Sequence, residues 1–210
     1  MENRMKPGPR VSVETVTPDP YLARALRVLS DEGLGWLQRA GPDEEEAVRV
    51  VLVDTACLWG PAEERRRLLL RIRAADAYAF MSYSGASFDG VPHLRLDGPV
   101  AEVKRELVRL VTGLATGSLP GKPGLFSRLN VTERHLVLFL TCGYGIRETH
   151  EALGLNVKSV YRLRTEVMKK YRLANRRELY ALLRVHDFMR EMKAGILLSV
   201  PYIHDGRCYE

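Results

Sequence analysis

Apolar residues along this chain change their spacing several times, and each spacing predicts an element. Val11 and Val13 flank Ser12, the alternation of a strand. From Tyr21 to about Leu29 the residues Leu22, Ala25, Leu26 and Leu29 fall at i, i+3, i+4 and i+7, one face of a helix. Gly35–Gln38 reads as a second strand, and Asp43–Ala47 as an acidic helical piece. The apolar run at Arg49–Val53 suits a strand buried on both faces. Glu63–Ile72 predicts a helix with Arg65, Arg66 and Arg67 on its wet side, and Tyr78–Tyr83 and His93–Leu96 predict two more strands. Val100–Val111 closes the segment with Val103, Leu107, Leu110 and Val111 on one helical face. Strands alternating with helices predict an open parallel sheet covered on both sides, over residues 11–112.

The pattern then breaks. Residues 113–127 carry the glycines and prolines of an interdomain linker, and residues 1–10, with Pro7 and Pro9, read as an unordered N-terminus. Beyond the linker every period is helical. Asn130 with Glu133 three residues on is a capping box, in which an amide and a carboxylate satisfy free backbone N–H groups. Gly143 and Gly145 stop that helix after Cys142. A short helix follows, about Arg147–Leu153, then a turn Gly154-Leu155-Asn156, with Asn156 capping a helix of about Val157–Tyr171. That helix carries Lys158, Arg162, Arg164, Lys169 and Lys170 against the single acid Glu166. A fourth helix starts near Asn175 and runs to about Met192. Residues 128–187 form a small helical domain and residues 188–210 a tail, with Ile196-Leu197-Leu198 and Val200-Pro201-Tyr202-Ile203.

Two short helices joined by a tight Gly-containing turn, the second rich in cations, have the layout of a helix-turn-helix. Over about fifty residues without a gap, this stretch resembles the LuxR/NarL-type DNA-binding domain of bacterial transcription regulators. The resemblance rests on Leu129 and Glu133 at the opening helix, Gly143 at its end, and Leu153, Leu155, Val157 and Val160 around the turn. It extends to Asn175-Arg176-Arg177-Glu178-Leu179 at the fourth helix. Thr149 and His150 depart from it, since the family has an aliphatic residue followed by alanine there. The resemblance implies that Tyr161, Arg162 and Thr165 face base edges. Chemistry agrees, because arginine bonds bidentately to guanine, while tyrosine and threonine offer hydroxyls and apolar contact to thymine methyls. Lys158, Ser159, Arg164, Lys169, Lys170, Arg176 and Arg177 suit phosphate contacts, which give affinity without sequence information.

Charge follows the same division. The net charge of +6 is made of −1 over residues 1–112 and +7 over residues 113–210, so the basic excess lies where phosphate binding needs it. Cys57, Cys142 and Cys208 are too few and too scattered for a disulfide framework or a metal site. The five histidines show no ligand spacing, and Glu44-Glu45-Glu46 suits the exposed start of a helix, where carboxylates favour the positive dipole end. Gly113–Gly124 lacks the Lys-Ser/Thr of a phosphate loop. No catalytic constellation, metal site or cofactor is implied. Nor does the chain show a signal peptide or an apolar run able to span a bilayer, which together with the cysteine usage leads to a cytoplasmic protein that binds no membrane.

An α/β domain ahead of this DNA-binding type resembles the receiver of response regulators, a five-stranded flavodoxin-like fold. Asp54 ends the apolar run Val50–Val53 where a receiver has its phosphoryl-accepting aspartate. Phosphoryl transfer to a carboxylate also needs a cation-binding pair of acids, a hydroxyl and a lysine. Here Glu14 is a single acid with Asp19 further on, Ser82 or Ser84 offers the hydroxyl, and Leu96 stands in the lysine's place. Asp54 is therefore expected to be a vestigial phospho-acceptor.

The expectation is an α/β plus all-α protein: a degenerate receiver-like domain followed by a four-helix LuxR-type domain. It is similar in arrangement to the auxiliary regulators of capsule, fimbria and acid-resistance genes. Its expected function is phosphorylation-independent, sequence-specific binding of double-stranded DNA in transcription regulation, without enzymatic activity. The partner is a second copy or a response regulator, with Leu179, Leu182, Leu183, Val185 and the tail as the apolar dimer surface. Two alternatives stay open: a ligand-sensing regulator with a small-molecule site in residues 11–112, and a bridging module that recruits another regulator.

Overall fold

A computed structural model describes residues 10–38, 47–83, 90–119 and 126–194. They fall into two compact units, residues 1–124 and residues 125–210. The first contains a parallel four-stranded sheet in the order β1 (Val11–Val16), β2 (Val48–Asp54), β3 (Ala77–Ser82), β4 (His93–Arg95). Helix α1 (Pro20–Gln38) connects β1 to β2, α2 (Ala62–Arg73) connects β2 to β3, and α3 (Val100–Ala115) follows β4.

Both faces of the sheet are covered, as a hydrophobic run such as Val50–Val53 requires. On one face Val50, Leu52, Ala79, Met81 and Leu94 pack with Leu22, Leu26 and Leu34 of α1 and Leu107, Leu110 and Val111 of α3. The two helices approach so closely that a Cβ on Gly33 would lie 2.5 Å from Val108 Cγ2, so glycine is needed there. The other face carries the alternate residues. Glu14 accepts from Arg49 at 2.6 Å and lies 3.7 Å from Arg71 of α2, which places α2 on that side with its buried Leu68, Leu69 and Ile72.

Three expectations for this unit are corrected. Gly35–Gln38 is not a strand, because α1 continues through it to Gln38: Leu34 is fully buried on the helical face that already holds Leu22 and Leu26. The sheet consequently has four strands among the described residues, not five. The linker does not begin at residue 113, since α3 runs to Ala115, with Leu114 and Ala115 packed against the core. Residues 1–9, the acidic segment 43–46, Ser84, residues 120–125 and the tail from residue 195, including Ile196–Ile203, lie outside the described residues.

The second unit is helical: α4 (Val131–Thr141), α5 (Ile146–Leu153), α6 (Val157–Lys170) and α7 (Arg176–Ala194). Leu136, Val137 and Leu140 of α4, Val160 and Val167 of α6, Tyr171, Leu173 and the α7 residues Leu179, Leu182, Leu183, Val185 and Phe188 are buried. This corrects the dimer surface expected on α7. Its four apolar residues are all in the interior, none more than 2% exposed. Helix α7 also passes Asp187 without a break, so the domain does not end there.

Candidate nucleic-acid interface

Local chemistry fixes where α6 begins. Asn130 accepts the Glu133 N–H at 2.9 Å while the Glu133 carboxylate accepts the Asn130 N–H at 2.8 Å, so α4 starts on the capping box expected from the sequence. Helix α5 ends at Gly154, whose φ of 63° is a left-handed conformation costly for any residue with a Cβ. Two residues later the Asn156 side chain accepts the Ser159 N–H at 2.8 Å and caps α6. Thr149, one of the two departures from the family pattern, is fully buried in α5, and its hydroxyl has no hydrogen-bond partner.

Helix α6 has one buried side and one open side. Val160 and Val167 are buried, whereas Lys158, Tyr161, Arg162, Thr165 and Lys169 are exposed. At ~100° per residue these five lie within an arc of about 100°, centred opposite the buried pair. The three expected base readers thus share one stripe with two lysines. Tyr161 is 46% exposed, and its ring lies under the Arg164 guanidinium, 4.8 Å from Cζ to the centroid, a cation–π contact that steadies both side chains. The Thr165 hydroxyl donates to the Tyr161 carbonyl at 3.0 Å.

The cations expected to meet phosphates divide into two groups. Lys158, Arg162, Arg164, Arg176 and Arg177 have no carboxylate within ion-pair distance among the described residues. Arg164 is half-buried, with a buried, unpartnered Nε. Burial lowers its pKa first and the nearby positive charge of Arg176 lowers it further. Arg176 and Arg177 stand exposed at the first turn of α7, which starts where Asn175 accepts the Glu178 N–H at 3.0 Å. Lys169 is exposed and lies 3.4 Å from Glu166, a weak surface pair. Ser159 is half-buried at the flank of the stripe.

Lys170 departs from the expectation. Its ammonium donates to both oxygens of Glu133, at 2.7 and 2.6 Å, and the Glu133 side chain is only 4% exposed. The lysine ties the end of α6 to the start of α4, and its charge is consumed inside the domain. Sequence gave no hint of this contact, because the partners are 37 residues apart and Glu133 already had a role in the capping box.

No family model, curated protein or solved structure matches this chain.

In the first unit Asp54 ends β2 and is 6% exposed. Its Oδ2 accepts the Thr17 hydroxyl at 2.7 Å and its Oδ1 accepts the Ala56 N–H at 2.8 Å, capping the short 3-10 turn Thr55–Trp59. Asp19 caps α1 by accepting the Tyr21 and Leu22 N–H groups at 2.8 and 3.2 Å. Glu14 is held by Arg49 on the α2 face, Ser82 is bonded to His93 Nε2 at 2.9 Å, and Leu96 packs against the apolar core. The structure thus brings Asp54, Thr17 and Asp19 to one end of the sheet and takes Glu14 elsewhere. Nearby, burial pushes the Cys57 thiol up to about 11, with the charges of Asp54 and Glu64 adding to the effect and Arg71 opposing it. That holds the thiol neutral near pH 7.

Proposed function

We propose that this protein is a sequence-specific, double-stranded-DNA-binding transcription regulator whose reading element is a LuxR-type helix-turn-helix formed by α5, the turn at Gly154–Asn156, and α6. Helix α6 lies in the major groove, with Tyr161, Arg162 and Thr165 toward base edges. Lys158, Arg164, Lys169, Arg176 and Arg177 meet the phosphates on either side.

The observation that carries the reading is the open stripe of α6. Five polar side chains point away from the core together, and apart from Lys169, 3.4 Å from Glu166, the cations at and beside the stripe have no carboxylate among the described residues that would make them an ordinary solvated salt-bridge face. A 14-residue helix is about 21 Å long, enough to follow a groove about 12 Å wide. Both parts of the expected chemistry are present, point cations for phosphate and directional donors for bases.

We read the first unit as an atypical, receiver-like domain that works without phosphorylation. Both Asp54 oxygens are already hydrogen-bonded, and the position of the receiver lysine is apolar. The protein acts as a dimer on DNA, with itself or with a response regulator, in the cytoplasm.

The test is a salt series. Binding to a promoter-derived duplex, measured by fluorescence anisotropy, should weaken linearly in log salt, with a slope of about −0.9 for each phosphate neutralised. Exchanging Arg176 and Arg177 together for glutamine should reduce that slope by about 1.8. Binding with no salt dependence, or an unchanged slope in the double variant, would remove the phosphate assignment.

A further inference from the structure

Among the described residues β1 is an edge of the sheet, paired only to β2. The ladder opens with the Val48 N–H donating to the Arg10 carbonyl at 2.8 Å. In a parallel pair, backbone groups turn to one neighbour at every second residue, so the even-numbered residues of β1 serve β2. The N–H and C=O groups of Val11, Val13 and Thr15 therefore point away from the sheet. They form one wall of an open trench of about 850 Å³, and the other wall is the overhanging side of α1, with Arg27, Ser30 and Asp31.

Several properties of this trench suit a strand. The edge presents two valines and a threonine, all good strand formers, and no lysine or proline that would blunt it. Ser30 is 4% exposed, yet its hydroxyl has no hydrogen-bond partner. Arg27 and Asp31 are exposed and one helical turn apart, and neither has an ion-pair partner among the described residues.

Charge complementarity identifies the occupant. A site offering one arginine and one aspartate a helical turn apart along the edge is complementary to itself. Under two-fold symmetry each cation can meet the other copy's anion. A two-fold axis perpendicular to the sheet also makes the paired strands antiparallel and puts both copies of α1 on the same face.

We infer that β1 of one copy pairs antiparallel with β1 of a second copy about a two-fold axis at Val13, joining two four-stranded sheets into one of eight. Val13 lies opposite its own equivalent, and Val11 lies opposite Thr15 of the second copy. Arg27 of each chain pairs with Asp31 of the other, across the seam. The assembly supplies a two-fold axis, which a regulator of paired half-sites needs. It does not depend on how α6 acts.

The experiment is sedimentation velocity on the full chain without DNA, so that failure of the DNA-binding reading leaves it untouched. The wild type should sediment as a dimer. Arg27→Asp and Asp31→Arg should each raise the dissociation constant at least about tenfold, the effect of some 1.4 kcal/mol. Mixed in equal amounts, the two should recover a 1:1 dimer, and a chain carrying both exchanges should dimerise alone. Recovery on mixing is possible only if each variant folds. Val13→Pro deletes one outward N–H without touching the β1–β2 ladder and should give a folded monomer by circular dichroism. A monomeric wild type, a dimer indifferent to the charge reversals, or reversed variants that stay apart when mixed would overturn the inference.

Discussion

Two adjacent lysines at the end of α6 should behave in opposite ways. Lys170→Met removes the cation from a carboxylate that is 4% exposed and leaves Glu133 with the Asn130 N–H as its remaining hydrogen-bond donor. Breaking a fully buried ion pair by deleting one partner costs ~3–5 kcal/mol, whereas exposed pairs contribute ~0–1 kcal/mol. The Lys170 side chain is 35% exposed, so water reaches part of the pair and an intermediate loss of about 2 kcal/mol is expected. In a unit of this size that corresponds to a fall in Tm on the order of 10 °C. Lys169→Met removes a charge that is 69% exposed and paired loosely with Glu166. Its stability should change by less than about 0.5 kcal/mol. DNA binding should invert the ranking: Lys169→Met should lower the salt slope by about 0.9, and Lys170→Met should leave it unchanged at temperatures where the unit is folded. Thermal denaturation followed by circular dichroism, with anisotropy at four salt concentrations, measures both quantities. Adding Glu133→Gln to Lys170→Met should recover part of the stability, since a buried amide costs less than an unpaired carboxylate. If Lys170→Met leaves the Tm in place and lowers the salt slope, the ion pair is not what holds α4 to α6.

Three further outcomes follow from the same geometry. Asp54→Asn keeps an oxygen for the Ala56 N–H, so promoter activity in cells should stay within a factor of two of wild type, whereas Asp54→Ala should cost about 1 kcal/mol through loss of the cap; stoichiometric phosphorylation of Asp54 by acetyl phosphate would show that the pocket works. Gly154→Ala forces a Cβ into a left-handed conformation where no other atom obstructs it, and should destabilise the second unit by ~1–2 kcal/mol in urea unfolding. Alkylation near pH 7 followed by peptide mass spectrometry should label exposed Cys142 well before Cys57, whose thiol pKa is pushed up to about 11 by burial; the Cys57 rate should climb only as pH approaches that value, and equal rates at neutral pH would contradict the site's electrostatics.

What could be read from the sequence was what short-range chemistry decides. Asn130 with Glu133, Gly154 and Asn156 each act on a backbone group within a turn of themselves, and all three caps stand where the spacing put them. Strands β1 to β4 were likewise visible, because a run such as Val50–Val53 has few other uses in a small domain. Gly35–Gln38 failed for a long-range reason. Glycine and tryptophan lower helix propensity, but Leu34 offsets this by complete burial in the core of the first unit. The apolar residues of α7 misled in the same way: a count of leucines does not say which neighbours cover them, and here the interior takes all four. Within the site the open stripe of α6 follows from a period of 3.6 residues alone. The split between Lys169 and Lys170 does not, because it depends on where Glu133 comes to lie once α4 packs beside α6.

The most direct measurement of whether α6 reads DNA is selection of binding sites from a pool of random duplexes, run in parallel with wild type and Arg162→Ala. The expected wild-type result is an enriched motif bound roughly a thousandfold or more tighter than random duplex at the same salt. With Arg162→Ala the same motif should return relaxed at one base pair, with a loss of ~1–3 kcal/mol at that position alone. A wild-type pool that enriches no motif, or an Arg162→Ala pool with an undiminished preference at every position, would contradict the placement of Tyr161, Arg162 and Thr165 against base edges.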